Sequence, residues 1–408
     1  MSKKILIISR AYPPAGGGGV QRIVKFSIYL QEMGWDVTVC SIKGENYSWI
    51  DEARLKEISD IKTIRLKEKP YKGTLLNKVI NKFRFYDYYY KWAKDVIKHF
   101  KNKKEFDYDY VLTSGPPHSV HKIGLELKKK FNFFLVTDFR DPFTLGAFYH
   151  PITPLHKFYQ KKFEQIIYDK SDLIITNTNV NKKEVLRYFS IKDDGKLKTI
   201  YNGYDSKDLQ LHGVKPNFDK EKINLLYLGG LRGDRVDGYF YKTIKKAIEI
   251  NPLLFQKVKV NLVGDLSRKG NMIEELNLVQ LFNFYDALPY NRVGDYLLES
   301  DGCITWQSPD KGYNGTIAGK VFDYFGMEKP IFSLGQPEGE LNDLINNFEI
   351  GIHSDVNNIE TAAMDFIRFV NNIDKYSLSY RKMEKSKFNF FNRKQQALQL
   401  NNYLLNIN

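Results

Sequence analysis

Short apolar runs alternate with stretches of helical periodicity along most of this chain. Ile5-Leu6-Ile7-Ile8 is the first run. Val20 to Leu30 follows, with apolar residues at three- and four-residue spacing, and Val37-Thr38-Val39 closes a strand–loop–helix–strand unit. Tyr110–Thr113, Phe133–Thr137, Leu173–Thr176, Ile223–Leu228, Val258–Val263, Gly302–Trp306 and Ile331–Leu334 read as further buried strands. Helical patterns fall between them, at Asn179–Phe189 with Asn179 as its cap, Tyr239–Ile250 and Gly319–Met327 among others. A last helix opens near Phe388. Strands alternating with helices predict an α/β protein with doubly wound parallel sheets.

A chain of 408 residues is long enough for two or three cores. The polar stretch 206–222 reads as a linker. It separates a first domain over 1–205 from a second over 223–385, with a terminal segment over 386–408.

Hydrophobic content of 42% fits a globular protein, and no apolar run approaches the roughly 20 residues of a membrane span. The apolar stretch at the N-terminus is too short for a signal peptide. Cys40 and Cys303 are the only cysteines, which argues against a disulfide framework or a zinc cluster. A cytoplasmic protein is expected.

The net charge of +14 is uneven: Lys69–Lys104 holds 11 Lys or Arg against only Asp87 and Asp95. Aromatic and aliphatic residues interleave with these cations. The segment predicts amphipathic helices lying on an anionic membrane surface, or helices packed on the sheet with a solvated basic face. A nucleic-acid partner is not expected, because no nucleic-acid module is recognisable.

Four places carry candidate chemistry. Gly16–Gly19 follows the first strand, where glycines let backbone approach a ligand; the spacing is not Gly-x-Gly-x-x-Gly. Asp138-Phe139-Arg140-Asp141 ends another strand. A carboxylate there can orient or deprotonate a hydroxyl, or the Asp–Arg pair merely fixes the loop. Arg232 and Arg235 follow Gly229-Gly230 and suit a phosphate, though they also read as surface arginines in a turn. The loop Gly312–Ala318 feeds a helix whose first amides, at Ala318, Gly319 and Lys320, suit an anion. Asp323 lies one turn inside, placed to hold a ribose diol or simply to be solvated. Asp107-x-Asp109 resembles a metal-binding pattern, but it immediately precedes a strand and reads as a strand entry. His118 comes about one helix before the Asp138–Asp141 segment.

The Gly312–Phe332 stretch resembles the donor-site motif of glycosyltransferase family 4, retaining enzymes of the GT-B fold. Asp323 matches the second acidic position, which holds the ribose. Gly315 stands where the first glutamate would contact the sugar, as in a sub-branch written Gly-Lys-x-Phe-Glu-Tyr. Pro13-Pro14-Ala15-Gly16-Gly17-Gly18-Gly19 with Arg22 resembles the loop beneath the donor diphosphate. Asp138–Phe143 resembles the Arg-Asp-x-Trp loop of some members. Asn202-Gly203-Tyr204-Asp205 is similar to the turn that ends the first domain. Arg235 stands at a diphosphate-gripping lysine position; Gly230 replaces the partner arginine, for which Arg232 would compensate. Phe282–Leu288 resembles the segment that faces the base.

The resemblance implies a GT-B fold: two Rossmann-like domains facing a cleft, with a C-terminal helix returning to the first. It implies transfer of a sugar, with retention, from a nucleotide-sugar to a hydroxyl of a glycan. The acceptor would be polyprenyl-diphosphate-linked or a surface polysaccharide, O-antigen or capsule precursor, with the enzyme peripheral on the inner face of the cell membrane. Asp141, Asp138 and Arg140 would be catalytic and His118 would touch the acceptor. Gly17, Gly18, Gly19, Arg232, Arg235, Ala318, Gly319, Lys320 and Asp323 would bind the donor. No metal and no cofactor are needed in this scheme, because fixed cations neutralise the leaving group. A nucleotide-sugar 2-epimerase or a phosphorylase on the same fold, an inactive family member, and a basic nucleic-acid-binding protein are the alternatives.

Overall fold

The computed structural model describes residues 2–43, 50–67, 87, 89–147, 149–192, 195–231, 238–267 and 270–406. The chain forms two compact units: Met1–Asn202 with Arg393–Asn408, and Gly203–Asn392.

The first unit is built on a seven-stranded parallel sheet, ordered β3-β2-β1-β4-β5-β6-β7. Its strands are β1 (Lys4–Ile8), β2 (Asp36–Ile42), β3 (Lys62–Leu66), β4 (Tyr110–Gly115), β5 (Phe134–Phe139), β6 (Leu173–Thr176) and β7 (Leu197–Thr199). Parallel strands covered on both faces must be apolar throughout, and β1 shows why. Ile5 and Ile7 enter one core with Val37, Val39 and Leu112, whereas Leu6 and Ile8 enter a second with Cys40, Ile42 and Val111. The period of two thus feeds two cores from one strand. The helix Gly18–Glu32 covers the first face together with the terminal helix Arg393–Leu405. Trp35 Nε1 donates to Asn401 Oδ1 at 2.8 Å and Arg393 Nη2 to Gln21 Oε1 at 3.1 Å, which fixes that helix on the unit. The segment before it is broken into a separate short helix, Lys385–Asn389.

The second face is covered by the helices Tyr90–Lys101, Val120–Lys128 and Pro154–Lys170. Of the basic segment Lys69–Lys104, residues 69–86 and 88 lie outside the described residues. In its described helix, Trp92, Val96 and Phe100 are buried in the core and Lys91, Lys94 and Lys98 face solvent. No helix among the described residues is long and apolar enough to cross a membrane. The helix Asn179–Tyr188 is capped one residue earlier than the sequence predicts: the Thr178 hydroxyl accepts from the Asn181 amide at 3.2 Å.

The second unit has a six-stranded parallel sheet, ordered β10-β9-β8-β11-β12-β13. The strands are β8 (Ile223–Leu228), β9 (Val258–Val263), β10 (Phe282–Tyr285), β11 (Gly302–Trp306), β12 (Ile331–Gly335) and β13 (Gly351–Asp355). Residues 206–222 belong to this unit, where Asp295 accepts from the amides of His212 and Gly213 at 2.9 and 3.0 Å.

Candidate active site

In each sheet the strand order reverses once, at β1/β4 in the first unit and at β8/β11 in the second. Helices leave the two central strands on opposite sides there, and a crevice opens at the strands' carboxyl ends.

In the first unit that end is shaped by three loops, after β1, β4 and β5. Gly17 has φ 98, a left-handed value that favours glycine, and the helix begins one residue later. Arg140 ties all three loops. Its Nη1 donates to the Gly19 carbonyl, its Nη2 to the Pro116 carbonyl at 3.4 Å, and its Nε lies 3.6 Å from Asp141 Oδ2. A Cβ on Gly19 would meet Arg140 Nη1 at 2.6 Å, so a larger residue there would make the guanidinium shift.

Asp138 is fully buried. Arg22 Nη2 donates to its Oδ1 at 2.8 Å, Arg22 Nε lies 3.1 Å from Oδ2, and Ser114 Oγ donates to Oδ2 at 2.7 Å. Arg22 also donates to the carbonyls of Ile200 and Tyr201 at 2.9 and 2.8 Å. A buried ion pair is retained only when its remaining hydrogen bonds are satisfied, and here both partners are. Asp138 and Arg22 therefore brace β5 against the helix Gly18–Glu32 and the chain after β7. The Asp–Arg pair anticipated in this loop is Arg140 with Asp141, whereas Asp138 pairs with Arg22, from another element. Asp141 differs: its side chain is 43% exposed.

The His118 ring stacks on Phe143 at 4.6 Å between centroids. Burial, with His121 and Arg140 nearby, holds its pKa well below the usual value, while its hydrogen bond with the Pro142 carbonyl acts the other way. His121, hydrogen-bonded through Nδ1 to Thr113 Oγ1 at 2.9 Å, is pushed down to about 3 by burial. Both imidazoles are neutral at physiological pH.

Glu164 carries no signal in the sequence, where it is one acid in a basic helix. It accepts from the Thr144 amide at 3.1 Å, the Thr144 hydroxyl at 2.5 Å and the Tyr168 hydroxyl at 2.7 Å, so it anchors the loop bearing Asp141. Burial pushes its carboxyl up to about 7, against those hydrogen bonds. Asp107 and Asp109 sit at the opposite end of the sheet, bonded to Lys4, which fits a strand entry.

In the second unit the turns after β8 and β9 touch. Gly264 has φ 149, and a Cβ on it would lie 2.5 Å from the Gly229 backbone. Beside them Gly264–Ser267 and Phe284–Ala287 line a crevice of about 710 Å³. Arg232 and Arg235 lie outside the described residues. The loop after β11 is held by Gln307 Nε2, which donates to the Thr316 carbonyl at 2.9 Å, and by Asp310, which accepts from the Gly312 amide at 2.7 Å. The helix Gly319–Gly326 then starts at Ala318 with no side-chain cap. Tyr324 Oη accepts from the Leu228 amide at 2.9 Å, tying this helix to the end of β8. The Lys320 ammonium lies 3.2 Å from the Tyr227 ring centroid. Asp323 is 5% exposed and accepts from Tyr290 Oη at 2.6 Å. Tyr290 was not singled out in the sequence; its signal is its place directly after Pro289, at the end of the segment read as facing a base.

Residues 16–208 match the family described as Glycosyltransferase Family 4. Solved structures resemble the chain over its length. A sucrose-phosphate synthase from Thermosynechococcus elongatus gives a TM-score of 0.70 at 17% identity, covering 98% of both chains. HepE from Anabaena, solved with UDP and glucose, gives 0.67 at 14% identity over 99% of this chain and 100% of that one. WaaG, a glycosyltransferase involved in lipopolysaccharide biosynthesis, gives 0.64 at 13% identity over 97% and 99%. No curated protein sequence matches the chain. The fold is GT-B, with two Rossmann-like units. The Glycosyltransferase Family 4 match covers the loops tied by Arg140, and with the fold it supports a glycosyltransferase.

Proposed function

We propose that the protein transfers a glycosyl group from a nucleotide-sugar to a hydroxyl of a glycan acceptor, with retention of configuration. The observation that carries the donor half is the Asp323 carboxylate. Tyr290 fixes it one turn inside a helix that starts without a side-chain cap, at the reversal point of a parallel sheet. That is a place for a ribose diol with its phosphates at the helix N-terminus. HepE, on the same fold, is solved with UDP and glucose. Arg232 and Arg235 take the leaving diphosphate, where negative charge develops. The crevice at Gly264–Ser267 and Phe284–Ala287 takes the base. Asp141, the exposed carboxylate of the first unit, orients or deprotonates the acceptor hydroxyl. Asp138, Arg140 and His118 act by holding the loops around it. Gly17–Gly19 are assigned to the diphosphate by the family resemblance, as is the Gly315 sub-branch. The acceptor is a lipid-linked or surface-polysaccharide precursor, met at the inner face of the membrane.

A thermal-shift screen against UDP-, GDP- and dTDP-sugars tests this reading. One donor should stabilise the protein, and Arg235→Ala should remove the shift. A shift unchanged in Arg235→Ala refutes the diphosphate assignment. A nucleotide-sugar converted without any acceptor points instead to the epimerase.

A further inference from the structure

A helix lying on a sheet has one apolar stripe, facing the core. The helix Pro154–Lys170 has two. Its inner face buries Phe163, Ile167 and Tyr168 in the core of the first unit. Its outer face carries Leu155, Phe158, Tyr159 and Ile166, at spacings of three, four and eleven residues from Leu155. Leu155 is 56% exposed and Phe158 60%, and Ile152, just before the helix, is 61% exposed. At about 1.5 Å rise per residue this outward stripe is about 16 Å long. Lys162 sits within it, and Lys161 and Lys170 flank it on either side. Asp169 is the exposed acid of this helix; Glu164 is buried and hydrogen-bonded.

We infer that this outer face docks on a lipid bilayer bearing anionic headgroups. The choice of occupant follows from the side chains. Every cation of this helix is lysine, which protein–protein interfaces deplete, whereas aromatic and aliphatic side chains flanked by lysine suit a headgroup boundary. The lysines supply the attraction to anionic lipid, and the apolar stripe supplies the insertion. The face belongs to a different element from the basic segment Lys69–Lys104, whose described helix turns its apolar residues inward. It also explains a placement. The helix follows the loop that carries Asp141, and Glu164 of the helix holds Thr144 of that loop. A bilayer on the outer face therefore lies against the element that anchors the acceptor loop. Docking itself does not depend on the glycosyl-transfer reading.

The test is flotation of the full chain with vesicles of phosphatidylcholine alone or with about 30% phosphatidylglycerol, at low and high salt. Wild type should float with the anionic vesicles only, and less at high salt. Leu155→Ser/Phe158→Ser changes two solvent-facing residues and should fold normally by circular dichroism, yet bind about tenfold more weakly or less. Lys161→Gln/Lys162→Gln/Lys170→Gln should lose the preference for phosphatidylglycerol. Flotation of the serine variant within about twofold of wild type would overturn the inference. So would a concentration-dependent dimer that the serine variant abolishes, with no vesicle binding by wild type, since the face would then seat a second copy. Binding tracks this face whether or not a sugar donor is found.

Discussion

Asp138 lies near the end of β5 and Asp141 in the loop that follows, and the structure gives them opposite surroundings. Asp138→Ala removes the carboxylate that faces Arg22 and leaves that guanidinium in a site where it is 1% exposed. Breaking a buried pair from one side costs about 3–5 kcal/mol. Arg22 keeps its bonds to the Ile200 and Tyr201 carbonyls, which favours the lower figure. A unit of this size loses about 2–4 °C of Tm per kcal/mol, so the first unit should melt about 10 °C lower. Asp141→Asn, at a half-exposed carboxylate, should shift stability by no more than about 0.5 kcal/mol. It should also leave donor binding intact and reduce acceptor-dependent transfer about 100-fold, the low end of what general-base chemistry contributes. The assay is differential scanning calorimetry on both variants, beside transfer measured with the donor found by the screen. Arg22→Met/Asp138→Leu should recover much of the lost Tm, because apolar residues of similar volume replace buried pairs at little cost. The reasoning is refuted if Asp138→Ala keeps its Tm within about 2 °C while transfer disappears, for then Asp138 acts on substrate and its burial is relieved in solution.

Glu164 predicts a pH dependence. Its carboxyl is raised in the folded chain, from the usual 4.5 to about 7, so the stability it contributes is complete below pH 4.5 and is lost as pH rises through 7. Glu164→Gln should flatten the Tm-against-pH curve of the first unit across that window; a curve of wild-type slope would contradict the buried, raised carboxyl. Tyr290→Phe removes the donor to Asp323 and should weaken donor binding about 2- to 10-fold by calorimetric titration, with a loss of stability of about 1–3 kcal/mol in the second unit. Affinity equal to wild type would show that Asp323 needs no such support. Gly264→Ala places a Cβ 2.5 Å from the Gly229 backbone at φ 149 and should destabilise the second unit by about 2 kcal/mol or more in urea unfolding. A neutral effect would mean that the two turns separate readily.

The architecture was legible where strands are buried on both faces. β1, β4, β5, β6, β8, β9, β11 and β12 coincide within a residue or two with the apolar runs, because a covered parallel strand must be apolar along its length. The edges were not. Lys62-Thr63-Ile64-Arg65-Leu66 of β3 alternates, with two lysine or arginine side chains, and its inner residues are only half-buried. Gly351–Asp355 of β13 alternates too, with Ile352 and Ser354 buried between half-buried residues. The helix Gly319–Gly326 and its proline stop were plain, since glycine entry and proline exit are local signals. Tyr290 had only its place after Pro289 to mark it, because its meaning is a contact with Asp323, many residues away.

The same limit explains why residue type alone does not sort the first unit's candidates. Asp138, Arg140, Arg22 and His118 are the residue types that catalysis uses, and a sequence shows type without burial. Folded, Arg22 and Asp138 satisfy each other, Arg140 stitches three backbone loops, and His118 is a neutral ring stacked on Phe143. These groups hold the crevice in one shape before any ligand arrives, which is the condition for orienting a substrate hydroxyl. Asp141 is then the carboxylate of that loop still open to solvent, and its position is fixed twice, by Arg140 on one side and by the Glu164–Thr144 anchor on the other. Loosening either anchor should therefore move Asp141 without touching it. Glu164→Gln, measured for transfer across pH, distinguishes an anchor from a passenger: an anchor changes turnover, and a passenger changes only the melting curve.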